Sequence, residues 1–438
     1  MLPRKTGSSE YIGGDIVEKE YDIVVVGAGP AGLAAAIEAK RNGIDSILLV
    51  ERARELGGIL QQCIHNGFGL HIFKEELTGP EYAERFIKEL VKQGIEYKLD
   101  TMVLDIDGSK NITMINTADG AATVRTKAAI LAMGCRERPR GALNIPGTRP
   151  SGIFTAGAAQ RYVNIEGYMV GKKIVVLGSG DIGMIMARRL TLEGAEVKAV
   201  LELLPYSSGL IRNKVQCLDD FNIPLLFNHT VTEIIGRERV EGIAYCEVDS
   251  NRKPIPETRR YMECDTLLLS VGLIPENELS RGAGIKLDPV TGGPIVNESM
   301  ETSAEGIFAC GNVLQVHDLV DYVTEESRRA GRSAARYVQG LAARDEASVV
   351  VRAGDGIRYI VPQRIRPGNL DDKLELFMRV NDIYREKRLT VKIDGEKVKS
   401  VYRKRLTPGE MEHIILDSKL VREKAKSLIT VEVEKEGA

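Results

Sequence analysis

The sequence lacks the features that mark several classes of protein. It contains no Trp, and its 60 basic and 62 acidic residues leave a formal net charge of −2 over 438 residues. Because no long basic block occurs either, the charge pattern indicates no nucleic-acid partner. The uncharged apolar run at residues 23–37 is interrupted by Gly-Pro and is shorter than the about 20 apolar residues of a membrane-spanning helix. We therefore expect no membrane span.

The N-terminal segment, residues 1–20, also lacks an apolar core of its own. A signal peptide requires such a core, so we expect a cytoplasmic protein. We interpret the segment as a flexible arm or a subunit contact.

The cysteines are isolated from one another and from histidine. None forms a CxxC pair, and none clusters with histidine at a metal-site spacing. This pattern disfavours iron–sulfur and zinc sites, and we predict no metal. A disulfide framework is not expected in a large cytoplasmic chain. The six cysteines are Cys63, Cys135, Cys217, Cys246, Cys264 and Cys310.

Two glycine-rich fingerprints are present, and the first lies between a predicted strand and a predicted helix. It occupies residues 27–32 (GAGPAG), after an apolar run at 22–26 and before an alanine-rich stretch at 31–40. A second strand at 46–50 leads to Glu51, about 20 residues beyond the fingerprint, which is the spacing of a dinucleotide-binding unit. An ordinary strand–turn–helix with a capping acid is the alternative.

The second fingerprint repeats this arrangement. Residues 178–183 (GSGDIG) lie between a strand at 173–177 and a helix at 182–192, and a strand at 196–201 leads to Glu202. In such units glycine permits a tight turn and close approach of a pyrophosphate, and the acid binds ribose hydroxyls. Two units on one chain predict a flavoprotein that passes electrons between a nicotinamide and a flavin. A carboxylate at Glu202 repels a 2′-phosphate, which favours NADH over NADPH.

Four further stretches carry a family resemblance. They are the pair Gly57-Gly58 and residues 129–134 (AILAMG), 267–279 (LLLSVGLIPENEL) and 305–312 (EGIFACGN). With the fingerprints, they resemble the two-dinucleotide-binding-domain flavoproteins of the pyridine nucleotide–disulfide reductase superfamily. Most members end the last motif with Gly-Asp, whereas Gly311-Asn312 keeps a hydrogen-bonding group and loses the charge. The resemblance implies an α/β fold with two Rossmann-like domains that bind FAD and NAD(H).

The resemblance also implies which residues contact each cofactor. For FAD they are Gly27, Gly29, Pro30, Ala31, Gly32, Glu51, Arg52, Gly57, Gly58, Val103, Ala132, Gly134, Gly311, Asn312 and Thr324. For NAD(H) they are Gly178, Gly180, Asp181, Ile182, Gly183, Glu202 and Gly272. A helix that begins near residues 323–325 is expected to direct its N-terminus at the flavin.

The same resemblance orders the domains. It implies a split FAD domain at 1–148 and 276–343, with the NAD(H) domain inserted at 149–275. From residue 344 to 438 the pattern changes to short β runs, at 357–361, 389–393, 398–404, 412–416 and 428–433. We predict a small β-rich domain there, either a subunit interface or a stabilising appendage.

The dithiol of the disulfide reductases is missing. Its two positions, just past the glycine pair, are Leu60 and His65 here, and Cys63 lies off register. No thiol relay is therefore expected. The candidate catalytic residues are Cys63, as a redox thiol or a packed one, and His65, as a proton donor or a structural hydrogen-bonding group. His317 is a third candidate, at the acceptor site.

Shorter stretches suggest narrower relatives. Residues 134–138 (GCRER) and 151–161 (SGIFTAGAAQR) resemble flavoprotein subunits of sarcosine oxidase, dye-linked proline dehydrogenase and hydrogen cyanide synthase. Residues 57–69 (GGILQQCIHNGFG) and 77–83 (LTGPEYA) resemble FAD/NAD subunits, described as NADH oxidases, that accompany a glycerol-3-phosphate dehydrogenase-like flavoprotein and a small cysteine-rich protein. This implies sister subunits, with oxygen, a quinone or dye, or a partner as electron acceptor. The alternatives are a scaffold without turnover and an amine or amino-acid dehydrogenase subunit.

Overall fold

The computed structural model describes residues 17–342 and 348–434. Most of the predicted N-terminal arm, and the predicted boundary between residues 343 and 344, lie outside these ranges. No helix within them combines the length and the apolar character that crossing a membrane requires.

The first part of the chain forms a mixed sheet with helices against it. Its elements are β1 (Val17–Val26), α1 (Pro30–Arg41), β2 (Ile47–Val50), β3 (Asn66–Phe68), β4 (Leu77–Thr78), α2 (Gly79–Lys92), β5 (Glu96–Lys98), β6 (Thr101–Ile106), β7 (Asn111–Asn116), β8 (Gly120–Leu131), β9 (Cys135–Glu137) and α3 (Arg140–Leu143). The strand order is β5-β2-β1-β8-β7-β6. β5, β2, β1 and β8 run parallel, which fits the continuous apolar runs predicted for β1 and β2.

The second part repeats the parallel design. Its elements are β10 (Ile153–Thr155), α4 (Ala156–Asn164), β11 (Lys173–Leu177), α5 (Asp181–Leu192), β12 (Glu196–Glu202), α6 (Ile211–Cys217), β13 (Leu225–Phe227), β14 (His229–Gly236), β15 (Val240–Glu247), β16 (Arg260–Glu263), β17 (Thr266–Leu269) and β18 (Leu273–Pro275). A sheet of order β10-β17-β11-β12-β13 carries the second fingerprint, and β14, β15 and β16 form a separate antiparallel sheet. β18 pairs with β9, so the two crossings between the parts lie side by side.

The chain then returns to the first sheet. The elements of the return are α7 (Glu278–Gly282), β19 (Ile307–Ala309) and α8 (Val320–Val338). β19 pairs in parallel with β8. This return confirms the predicted α/β class with two Rossmann-like sheets, the second inserted in the first. The domain limits stay predictions; Leu143 and Ile145 pack against the second part, before the predicted boundary at 148.

The C-terminal region is almost entirely β-structure. Its elements are β20 (Val349–Ala353), β21 (Ile357–Val361), β22 (Arg364–Ile365), β23 (Lys373–Val380), β24 (Tyr384–Ile393), β25 (Glu396–Leu406), β26 (Glu412–Asp417), α9 (Ser418–Lys424) and β27 (Leu428–Val433). One sheet has the order β22-β20-β27-β24-β25 and the other the order β21-β23-β26. Both contribute to one apolar core, as a β-rich unit requires.

This region packs tightly on the first part. Tyr359 and Val361 of β21 belong to the apolar core of the first sheet. Arg366 binds the carboxylates of Glu298 at 3.1 Å and Glu301 at 3.2 Å. These side chains are largely buried, so the C-terminal region is fixed to the first part by packed apolar residues and buried ion pairs.

Candidate dinucleotide-binding site

The two acids after the fingerprints are held in the same way. The main-chain N–H of Ala28 donates to Glu51 at 2.7 Å, and that of Ser179 donates to Glu202 at 2.9 Å. The second oxygen of each carboxylate accepts a main-chain N–H two residues beyond the acid. Each carboxylate oxygen has two lone pairs, so both acids retain accepting capacity toward a ribose hydroxyl.

The first glycine of each fingerprint is required by backbone geometry. Gly27 and Gly178 have φ values of +98° and +93°, in the region that favours glycine. A Cβ on Gly27 would lie 2.5 Å from the carbonyl oxygen of Ala132, and one on Gly178 would lie 2.1 Å from that of Ser270. The tight turns predicted from sequence are therefore present at both sites.

One cavity connects the two fingerprints. Its volume is about 2420 Å³, above the about 300–1,000 Å³ of an ordinary ligand pocket. A Cβ on Gly29 would meet no protein atom within 4 Å, so the wall leaves room for a ligand there. The predicted cofactor residues that line this cavity are Gly27, Gly29, Pro30, Ala31, Glu51, Arg52, Gly58, Val103, Ala132, Gly134, Asn312, Gly178, Gly180, Asp181, Ile182, Glu202 and Gly272.

This wall fits FAD and a nicotinamide dinucleotide. The glycine loops open onto the cavity at the starts of α1 and α5, and helix N-termini bind pyrophosphate. An acid stands at the position that binds ribose in each unit. The individual cofactor contacts stay predictions.

Five predicted cofactor residues lie off the cavity. Four are glycines in close packing, Gly32, Gly57, Gly183 and Gly311. The fifth, Thr324, is fully buried, and its hydroxyl lies 2.7 Å from that of Tyr82. The expectation that α8 begins near residues 323–325 is wrong: the helix begins at Val320, with Asp321 in its first turn, where an acid complements the helix dipole. Thr324 therefore lies more than a turn inside the helix.

Asn312, in the place of the usual aspartate, borders the cavity. Its side-chain oxygen accepts the N–H of His317 at 3.0 Å, and its side-chain nitrogen lies 3.5 Å from the sulfur of Cys135. Burial raises the pKa of Cys135 to about 11. This thiol is therefore protonated at neutral pH, in line with a packing role.

Cys63 lines the cavity as a protonated thiol. Its sulfur donates to the carbonyl oxygen of Ile59 at 3.3 Å. Burial raises the pKa of the thiol to about 12. Because the thiolate is the reactive form, this environment favours a packed thiol over a redox one.

His65 also borders the cavity, without a positive charge at neutral pH. Burial, and then the positive charges of Arg212 and Arg188, lower its pKa to about 4. Its ring centroid lies 5.1 Å from that of Phe68. A neutral imidazole is a poor proton donor, so the geometry favours a structural role.

His317 lies beside the cavity, but its ring is fully buried. Its Nε2 is 3.2 Å from one carboxylate oxygen of Glu326. The same carboxylate accepts hydrogen bonds from the N–H of Gly311 and from the side chain of Gln315. Burial alone would raise the pKa of Glu326, but these partners, His317 foremost, lower it. Because the buried ring faces Glu326, this geometry favours a packing role, and the acceptor-site role of His317 stays a prediction. Glu326 was missed in the sequence, where it is one of many acids on an amphipathic helix.

The C-terminal region also supplies wall residues that the sequence did not reveal. Arg358, Asn381, Pro408 and Gly409 line the same cavity as Glu202. No local motif marks them, since only the packing of the C-terminal region brings them there.

The family is established by a model that covers most of the chain. The model described as pyridine nucleotide-disulphide oxidoreductase matches residues 21–334. The chain is 27% identical to an opine oxidase subunit of Agrobacterium tumefaciens over 313 residues, 67% of this chain and 61% of that one. It thus spans about three fifths of that relative's length. It is also 27% identical to a thioredoxin reductase of Listeria monocytogenes over 328 residues, 74% of this chain and 96% of that one.

Solved structures show the same fold. The thioredoxin reductase of T. acidophilum superposes with a TM-score of 0.61 at 24% identity, covering 74% of this chain and all of that one. The L-proline dehydrogenase of P. horikoshii gives a TM-score of 0.50 at 19% identity, covering 73% of this chain and 57% of that one. The chain belongs to the pyridine nucleotide-disulphide oxidoreductase family, whose members are FAD-dependent NAD(P)H oxidoreductases.

Proposed function

We propose that this protein is an FAD-dependent NADH oxidoreductase that passes electrons to a second acceptor without a thiol relay. The observation that carries the proposal is the single cavity shared by both glycine loops and both ribose-binding acids. When bound, FAD supplies the acceptor for the hydride that NADH gives up. The chain's own contribution is to hold two ligands in one enclosed space, because proximity and orientation lower the barrier to transfer.

The choice of NADH over NADPH rests on Glu202. The carboxylate is 4% exposed and lies at the cavity wall. The 2′-phosphate of NADPH would lie beside this carboxylate in a partly enclosed space, and the repulsion between the two negatively charged groups would weaken binding. A free 2′-hydroxyl would instead donate a hydrogen bond to it.

The absence of a thiol relay rests on the cysteines. All six are free, and Cys63 and Cys135, which line the cavity, have raised pKa values. The thioredoxin reductases among the relatives are named for a disulfide substrate. With a dye as the electron acceptor, we expect this protein to oxidise NADH. With a thioredoxin disulfide in place of the dye, we expect it to release no thiols.

We propose the electron acceptor by its chemical class. The candidates that can take electrons from a reduced flavin are oxygen, a quinone or dye, and a partner flavoprotein of the glycerol-3-phosphate dehydrogenase-like kind. The resemblance at residues 57–69 and 77–83 supports the partner flavoprotein together with a small cysteine-rich protein. Purification from the native source with identification of the bound subunits decides among them.

Anaerobic reduction tests the central claim. Adding NADH to the FAD-loaded protein without oxygen is expected to bleach the yellow flavin absorbance, and NADPH is expected to do so more slowly. Unchanged absorbance with NADH would contradict the proposal and favour a scaffold role.

A second candidate, amine or amino-acid oxidation, is favoured by the similarity to the opine oxidase of Agrobacterium tumefaciens. Bleaching by an opine or an amino acid, and not by NADH, would establish it.

A further inference from the structure

A turn of the C-terminal region lies against the loop that follows Glu202. A Cβ on Gly409 would lie 2.6 Å from the carbonyl oxygen of Ser208, so the two backbones are in close contact. The hydroxyl of Ser208 donates to Glu202 at 3.1 Å. The carbonyl oxygen of Gly409 accepts from Arg379 of β23 at 2.7 Å, which fixes the turn to its own domain. The C-terminal region thus reaches the ribose-binding end of the second unit.

Arg358 is a cation on this part of the wall. It lies on β21, whose neighbour Tyr359 pairs with Arg379 of β23. Its side chain is exposed to the cavity, and no carboxylate within the described ranges lies within 4.0 Å of it. Among the described residues, Arg358 and Arg252 line this wall without an ion pair, whereas Arg379 is paired with Asp318.

The charges of Arg358 and Glu202 both act on the phenol of Tyr206. Tyr206 lies in the loop after Glu202 and lines the cavity. Burial is the largest cause of the raised pKa of Tyr206; the charges of Asp382 and Glu202 also raise it, whereas Arg252 and Arg358 act in the opposite direction. Arg358, Arg252 and Glu202 all line the cavity that Tyr206 lines, and the charge of each acts on this phenol.

We infer that Arg358 is a positioning residue for the adenosine end of NADH, and that the C-terminal region thereby completes the nucleotide site. The inference rests on the proposed function for the identity of the nucleotide. A guanidinium is planar, always charged and able both to stack on a base and to donate hydrogen bonds. Glu202 would accept from the ribose while Arg358 contacts the adenosine from the part of the wall that the C-terminal region supplies.

Binding of ADP-ribose tests the inference without chemistry. This probe carries the adenosine, the diphosphate and the second ribose and lacks the nicotinamide, so its dissociation constant reports on binding without the reacting ring. Loss of a charged hydrogen-bonding group is expected to weaken binding by about tenfold in Arg358→Ala. The KM for NADH is expected to rise by a similar factor, and the maximal rate of flavin reduction to stay within about twofold, as for lost uniform binding.

Arg352→Ala is the matched control. Arg352 is an exposed arginine on β20 of the same region and does not line the cavity. It is expected to bind ADP-ribose as the unaltered protein does. Arg358→Gln, which keeps much of the side-chain length and loses the charge, is expected to behave like Arg358→Ala with an unchanged Tm.

Three results would overturn the inference. The first is equal ADP-ribose affinity in Arg358→Ala and the unaltered protein, and the second is equal losses in the Arg358 and Arg352 variants. The third is failure of the unaltered protein to bind ADP-ribose. If ADP-ribose binding follows the expected pattern but NADH leaves the flavin oxidised, the proposed function fails and the binding role of Arg358 stands.

Discussion

At the residue scale, Glu202 has two tasks that its substitution separates. It holds the second glycine loop through Ser179, and in the proposed function it sets the charge beside the nucleotide ribose. In Glu202→Arg we expect the ratio of kcat/KM for NADPH to that for NADH to rise by at least about tenfold, because a repulsive charge becomes an attractive one. Glu196→Arg, at the exposed start of the same strand, should leave the ratio unchanged. An unaltered protein that already prefers NADPH would refute this interpretation.

His413 makes stability depend on pH. Its ring stacks on that of Phe377 with centroids 4.4 Å apart and an interplanar angle of 3°. Burial, and then the charges of Arg329 and other cations, lower its pKa from 6.5 to about 4. As pH falls from about 6.5 toward about 4, the unfolded state takes up a proton that the native state refuses, so stability is lost in that window.

Replacing the ring tests this dependence. His413→Phe keeps an aromatic stack and removes the titrating group, so the fall in Tm between pH 7 and pH 4.5 is expected to be smaller than in the unaltered protein. His65, whose pKa is lowered in the same direction, leaves part of the dependence in place. An unchanged fall in Tm for His413→Phe would count against the lowered pKa.

At the element scale, α1 and α8 approach each other closely beneath the first glycine loop. A Cβ on Gly331 of α8 would lie 2.2 Å from the carbonyl oxygen of Ala35 in α1. A bulky residue there must separate the helices. We expect Gly331→Leu to lose about 1–3 kcal/mol of folding free energy and to retain less FAD after purification. Ser333→Leu, on the opposite side of α8, should do neither; equal effects would show that crowding at Gly331 is not the cause.

Strands differ in how readily the sequence reveals them. The runs predicted at 357–361 and 428–433 match β21 and β27, and the two-residue turn Asp394-Gly395 joins β24 to β25. β23 was missed, although it is nearly buried throughout. Its third residue, Glu375, interrupts the apolar pattern, and ion pairs with Arg329 of α8 and with Lys373 make that buried carboxylate tolerable.

At the scale of the whole molecule, Arg379 connects the C-terminal region to the rest. It pairs with Asp318, bonds the carbonyl oxygen of Val316 at 3.1 Å, and holds the Pro408–Gly409 turn. Removing one partner of a buried pair costs about 3–5 kcal/mol, so Arg379→Met is expected to lower Tm by several degrees and raise the KM for NADH. Arg385→Met, at an exposed position of β24, serves as the control in the same melting and rate measurements. Matching behaviour of the two variants would mean that the connection contributes little.

The sequence by itself determined the two dinucleotide units. Glycines, strand, helix and acid lie close together in the chain, and their steric and hydrogen-bonding demands are local, so the pattern predicts both loops and both acids. It also determined that the superfamily's dithiol is missing. The tertiary structure decided the rest: the inward-facing ring of His317, the burial of Thr324, and the wall formed by Arg358 and Gly409. These depend on contacts between segments far apart in sequence, whose packing no local pattern encodes.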